Sequence, residues 1–137
     1  MDRRDMLQGM TAMAMLGATG VRAEEAGDSV YELRVYHLNP GKLPLILDRF
    51  RGKERSLFER AGMHPVAYWT PVDGALPAET LVYMLRHKSR EAARESWSKF
   101  SSDPEWIALK AQSEKDGAFV AKIDSTFLKA TDFSPKL

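Results

Sequence analysis

Four stretches with strand-like alternation and two helical stretches follow one another along this chain in the order β-α-β-β-α-β. That order predicts an α+β domain of the ferredoxin-like, split βαβ type. Two further observations bear on its assembly. The chain has no cysteine, so a small domain must be held by packing alone. Its first strand also carries apolar residues on both faces, although helices can cover only one face of a four-stranded sheet.

The first strand reads Val30 to Leu38, with Tyr31, Leu33 and Val35 alternating with Glu32, Arg34 and Tyr36. Asn39-Pro40-Gly41 is a turn. A helix is expected over 42–61, with Leu43, Ile46, Leu47, Phe50, Leu57 and Phe58 on one stripe. Arg49, Arg51, Lys53 and Arg55 read as its solvated face, Pro44 fits the first turn, Gly52 weakens the middle, and Gly62 caps the end. Strands are expected over 63–72 and 79–87, joined by a loop from Asp73-Gly74 through Pro77. Ser89 is placed to cap a helix from Arg90 to about Phe100, with Ala93, Trp97 and Phe100 inward. Asp103-Pro104-Glu105 restarts a helix that puts Trp106, Ile107 and Leu109 inward and stops at Gly117. A last strand is expected over 118–128. With no polar face to leave in water, two such sheets are expected to face each other and close a barrel, a homodimer being the result.

Residues 1–23 read as an export signal. Arg3-Arg4 precede a charge-free run from Met10 to Val21, and Val21-Arg22-Ala23 ends in small residues ahead of Glu24-Glu25. The arginine pair followed by Met6-Leu7 resembles a twin-arginine signal, whose pathway carries folded proteins; an ordinary export signal is the other reading. The run is too short for a membrane span, so a periplasmic or otherwise exported protein without stable membrane insertion is expected. Residues 24–29 are polar and read as a disordered linker, and residues 30–135 as the domain. Without Arg3, Arg4, Arg22, Asp2 and Asp5, 17 basic and 17 acidic residues remain. That balance gives no basic footprint for a nucleic acid partner.

Glu32, Arg34 and Tyr36 share one strand face. An arginine beside a carboxylate and a phenol is suited to orient an anionic or carbonyl-bearing ligand; the competing reading is a Glu–Arg pair that sets the register of a dimer interface. Tyr68, Trp69 and Tyr83 lie on the two middle strands, where they line an apolar pocket or serve as plain core. His37 and His87 sit at strand ends and His64 after a turn, positions that read as exposed. No His-x-His or His-x-x-x-His spacing occurs, so neither a metal site nor a cofactor is expected, with His37 or His87 as a single haem ligand the one alternative. Gly-x-Ser-x-Gly, phosphate-loop and dinucleotide signatures do not occur.

The chain resembles the NIPSNAP family. The resemblance runs through Tyr31-Glu32-Leu33-Arg34-Val35-Tyr36, Pro40-Gly41-Lys42-Leu43, Gly62-Met63, Tyr68-Trp69-Thr70, Asp103-Pro104-Glu105-Trp106 and Phe133-Ser134-Pro135. It implies a dimeric α+β barrel, from a superfamily that also holds cofactor-free monooxygenases and haem-degrading enzymes. Family members often carry a His in the third strand where this chain has Tyr83, so no role for that His carries over. The expected function is an exported homodimer that holds a small apolar or aromatic ligand in its barrel, with Glu32, Arg34, Tyr36, Trp69 and Tyr83 as candidate contacts. Two other readings stand beside it. One is a cofactor-independent monooxygenase-type enzyme using Arg34, Tyr36 or Tyr83 as its acid–base group; the other is an interaction module without a ligand.

Overall fold

The computed structural model describes residues 29–137; the expected export signal, 1–23, and residues 24–28 of the expected linker lie outside the described residues. Ser29, the last residue of the expected linker, is already buried. β1 (Val30–Leu38) leads through the Asn39–Gly41 turn into a helical stretch made of α1 (Leu43–Arg49), a π-helical turn (Phe50–Glu54) and α2 (Arg55–Arg60). β2 (His64–Trp69) and β3 (Thr80–His87) form the central hairpin. α3 (Arg90–Ser102), α4 (Pro104–Ser113) and β4 (Val120–Leu128) complete the chain. The strands lie in the order β2-β3-β1-β4, every neighbouring pair antiparallel, with helices against one face: the α+β ferredoxin-like arrangement.

The π turn is a departure from the single regular helix that the sequence predicts. Residues five apart do not face each other in an α-helix but are brought together by i→i+5 winding. Here Arg49 Nε donates to Glu54 Oε1 at 2.7 Å, and this buried pair spans five residues. Gly52 lies inside the turn, where a Cβ would meet nothing within 4 Å.

Local caps are where the sequence places them. Ser89 Oγ accepts from Ala92 N, and Asp103 Oδ1 from Glu105 N, ahead of Pro104. Gly62, at φ +100°, ends α2 in a Schellman motif, with Gly62 N bonded to Glu59 O and Met63 N to Phe58 O. The start of α1 is capped from a distance instead. Lys42 offers it no side-chain acceptor, and the Glu79 carboxylate accepts from both Gly41 N and Leu43 N.

The core lies between the sheet and the helices. Phe58 is fully buried, with Phe50, Tyr83, Trp97 and Phe100 around it at ring-centroid distances of 5.5, 5.8, 5.5 and 4.8 Å. Tyr36, Leu81 and Leu85 complete the helix-side surface of the sheet. By strand alternation the opposite face carries Leu33, Val35, Val82 and Met84, all half-buried, and Trp69, which is 48% exposed. No helix covers it.

Three sequence readings are corrected. Arg49, read as solvated, is buried, because its guanidinium lies between the Trp106 and Phe119 rings at 4.9 and 4.6 Å. Ile107, read as inward, is 54% exposed, because Trp106 is the one residue of α4 that is fully buried. His87, read as exposed, is 2% exposed beneath the helices. No helix among the described residues is long and apolar enough to cross a membrane.

The remote cap is testable. Glu79→Ala removes the acceptor for two helix-start amides and is expected to cost about 1–2 kcal/mol, seen as a lower urea midpoint with an unchanged slope. An unchanged midpoint would show that water replaces the carboxylate without loss.

Candidate functional site

The period of two in β1 puts Glu32, Arg34 and Tyr36 side by side beneath the helices. Glu32 is the most heavily bonded of the three. Its Oε1 accepts from His87 Nε2 at 2.9 Å and Trp97 Nε1 at 2.8 Å; its Oε2 accepts from Ser125 Oγ at 2.7 Å and Arg34 Nη1 at 3.0 Å. An ionised carboxylate only accepts, so the proton on His87 is at Nε2. Burial alone would raise this acid. The donors from His87, Trp97 and Ser125, with the charge of Arg34, outweigh it and hold the carboxyl at about 2 against an ordinary 4.5.

Arg34 passes this order on to the phenols. Its guanidinium lies 4.2 Å over the Trp97 ring. Nε donates to Tyr83 Oη at 2.9 Å, and Nη2 reaches Tyr36 Oη at 3.5 Å. Tyr83 Oη in turn donates to Tyr36 Oη at 2.7 Å. Tyr83 is wholly buried, so this is where its proton goes; Tyr36 accepts, which leaves its own proton for whatever lies beyond. Burial pushes both phenols up in pKa, and Arg34 pulls against that shift, so both stay protonated at neutral pH.

Beyond Tyr36 is a cavity of about 470 Å³, between the sheet and the helices and open along β4. Arg34, Tyr36 and Ile123 form its sheet side, and Trp97, Phe100 and Trp106 its aromatic wall. The remaining side is ionic. Arg49 Nε holds Glu54 at 2.7 Å while Nη1 holds Ser113 Oγ and Glu114 Oε2, both at 2.8 Å. Two carboxylates thus share one guanidinium. Burial pushes the Glu54 carboxyl up to about 7; Arg49 opposes this, and the Glu114 charge adds to it. A mainly apolar enclosure with a few convergent polar groups is suited to a small organic molecule.

Four of the five candidate residues come together: Glu32, Arg34, Tyr36 and Tyr83 form one network. Trp69 is apart from them, since it pairs with Val82 and so faces the uncovered side of the sheet. Glu32 and Arg34, on the helix side, do not line that face. The cavity lies between the sheet and the helices of this chain itself, not in the barrel between two facing sheets where the sequence reading places the ligand. The third strand does hold a buried histidine, His87, at its far end.

Glu54, Trp97 and Ser125 are not among the candidates read from the sequence, and His87 is there only as a possible haem ligand. Glu54 had a signal: it stands four residues after Phe50 and four before Phe58, on the apolar stripe itself. Trp97 reads as core, and its indole N–H has meaning only once Glu32 lies below it. Ser125, 93 residues from Glu32, has no local signal at all.

The Glu32 network predicts a pH dependence. A carboxyl held below its ordinary value stabilises the fold fully above about pH 4.5, and that contribution is lost as pH falls toward 2. Glu32→Gln is expected to cost about 2–3 kcal/mol at pH 7 and to flatten the acid fall in stability by about one proton's worth. Urea unfolding of both proteins from about pH 3 to 7 checks it; parallel curves would contradict the assignment.

A family model described as NIPSNAP matches residues 31–135. Among solved structures, an uncharacterised NIPSNAP-like domain protein from Burkholderia xenovorans superposes with a TM-score of 0.71 at 17% identity, covering 81% of this chain and 92% of that one. A NIPSNAP family protein of unknown function from Agrobacterium tumefaciens gives 0.70 at 21% identity, covering 81% and 96%. No curated protein matches the sequence. The family match spans nearly the whole described domain, including β1 with Glu32, Arg34 and Tyr36, and the chain belongs to the NIPSNAP family.

Proposed function

We propose that this protein is exported behind the signal at residues 1–23, works as a homodimer, and binds a small aromatic molecule bearing a carbonyl or enol oxygen. The observation that carries the ligand reading is the cavity itself. It joins three aromatic side chains to Tyr36, a phenol whose oxygen accepts from Tyr83 and Arg34 and whose own proton is not used by either. The aromatic rings favour a flat apolar body. Tyr36, backed by Arg34 and Tyr83, favours an acceptor oxygen on it. The homodimer is supported by the uncovered sheet face, where Leu33, Val35, Val82 and Met84 stand in a block flanked by the exposed Trp69.

Native mass spectrometry of protein recovered from the periplasm of its host reads export and assembly together. The expected species is a dimer of chains beginning at Glu24. Val35→Arg, which puts a charge at the centre of the uncovered face, is expected to give a monomer with an intact far-UV spectrum. A dimer that survives Val35→Arg would move the interface elsewhere.

Binding is read with 2-tetralone, a bicyclic aromatic ketone, in a Trp69→Phe background where only Trp97 and Trp106 report. Saturable quenching is expected, weakened about fivefold to tenfold in Tyr36→Phe by loss of one hydrogen bond. Absence of quenching would overturn the reading of the cavity as a site for aromatic ketones.

A further inference from the structure

Two carboxylates are buried beneath the helices, and their surroundings differ. Every oxygen of Glu32 is occupied by donors. Glu54 takes one hydrogen bond among the described residues, from Arg49 to Oε1, and it borders the cavity that Tyr36 also borders. A buried carboxylate with an oxygen to spare shares a mainly apolar cavity with a phenol that has a proton to spare. Tyr36 is the last member of the Glu32 network, and Glu54 is bonded to Arg49 outside it.

The geometry points to proton transfer at carbon: Glu54 removes a C–H proton next to the carbonyl of a bound aromatic ketone while Tyr36 hydrogen-bonds to the oxygen. The C–H bond breaks, its electron pair forms the enolate, and the proton passes to a Glu54 oxygen. Return of that proton to the same carbon, or to a conjugated one, restores the ketone as itself or as its isomer. No oxidant, metal or cofactor enters the balance. Tyr36 keeps its proton throughout and acts as the oxyanion donor, with Arg34 and Tyr83 polarising it from behind. Glu54 is the base, and the π turn sets it there by bringing it onto Arg49.

The groups facing Glu54 fix its pH behaviour. They are Arg49 from its own helical stretch, Lys110 from α4 and Glu114 at that helix's C-terminal end, Tyr36 from β1 and Tyr68 from β2, with Arg34 on the same cavity. Because Glu114 shares Arg49 with Glu54, it weakens the hold of the guanidinium on the Glu54 charge.

This inference rests on the ligand reading above, and the test separates the two. The same 2-tetralone is dissolved in D₂O at saturating concentration, and exchange of its C1 protons is followed by NMR alongside tryptophan quenching. The wild-type protein is expected to exchange them at least about 100-fold faster than buffer, with a rate that rises as pH passes through about 7. Glu54→Gln, which still binds the ketone, is expected to lose that acceleration, and Tyr36→Phe to lose about tenfold to 100-fold of it. Glu114→Gln leaves Arg49 wholly to Glu54 and is expected to move the pH midpoint downward, a shift that a purely structural role would not produce. Quenching without exchange, full activity in Glu54→Gln, or an unmoved midpoint in Glu114→Gln would each overturn the proposal. Lack of quenching would remove the ligand reading and the proposal with it.

Discussion

The structure depends on one buried charge. Glu32 sits near the start of β1, nearly out of contact with water, and stays ionised only because four donors converge on it. Those donors come from β1 itself, β3, α3 and β4. A buried carboxylate without them would be costly enough to protonate or to unfold the site. The requirement therefore fixes how α3 lies on the sheet, since the Trp97 indole must point down at Oε1. It also fixes the register at both neighbours of β1, since His87 and Ser125 must lie within reach. Arg34 is then held between Glu32 and Trp97 with its remaining N–H groups turned to the phenols.

The second ionic unit obeys different rules. Arg49 holds both Glu54 and Glu114, and Glu114 also has Lys110 Nζ at 3.8 Å, so Glu54 alone depends on the shared guanidinium for its ion pair. Glu54 is the less solvated of the two acids, with 2% of its side chain exposed against 11% for Glu114, and burial raises it most. The stability sign is opposite to that of Glu32. A carboxyl raised in the folded state favours folding most below its ordinary value, and that advantage is gone once pH has risen past about 7. A site that tolerates this conflict, in a helix bent into π winding to hold it, is built differently from one selected for stability alone.

The sheet divides its two tasks by parity. Even-numbered residues of β1 from Glu32 to Tyr36 face the helices and the cavity, and odd-numbered ones from Tyr31 to Val35 face the uncovered side. A shift of one residue would exchange these faces, burying Leu33 and Val35 and expelling Glu32 and Arg34. The polar network and the apolar block thus reinforce the same register from opposite sides, which leaves the strand little freedom to slip.

Much of this was legible in the sequence. Period-two alternation, the Ser89 and Asp103 caps, Pro44, Pro104 and Gly62 act within a few residues of themselves, so each element is written locally and the βαββαβ order follows. The grouping of Glu32, Arg34 and Tyr36 needed only strand geometry. What the sequence could not determine depends on where distant atoms meet. A strand pattern does not say which face the helices cover, so whether Glu32 and Arg34 lined a pocket or an interface was open until α3 lay over them. Burial of His87 and Arg49 likewise depends on partners 55 and 65 residues away, Glu32 and Glu114. Glu79 capping α1 from beyond the hairpin loop, and Ser125 reaching Glu32, are of the same kind. Local chemistry specified the strands and helices; the buried charges found their counterparts only through tertiary contact, because nothing in a one-dimensional pattern records the distance between residues that the fold alone brings together.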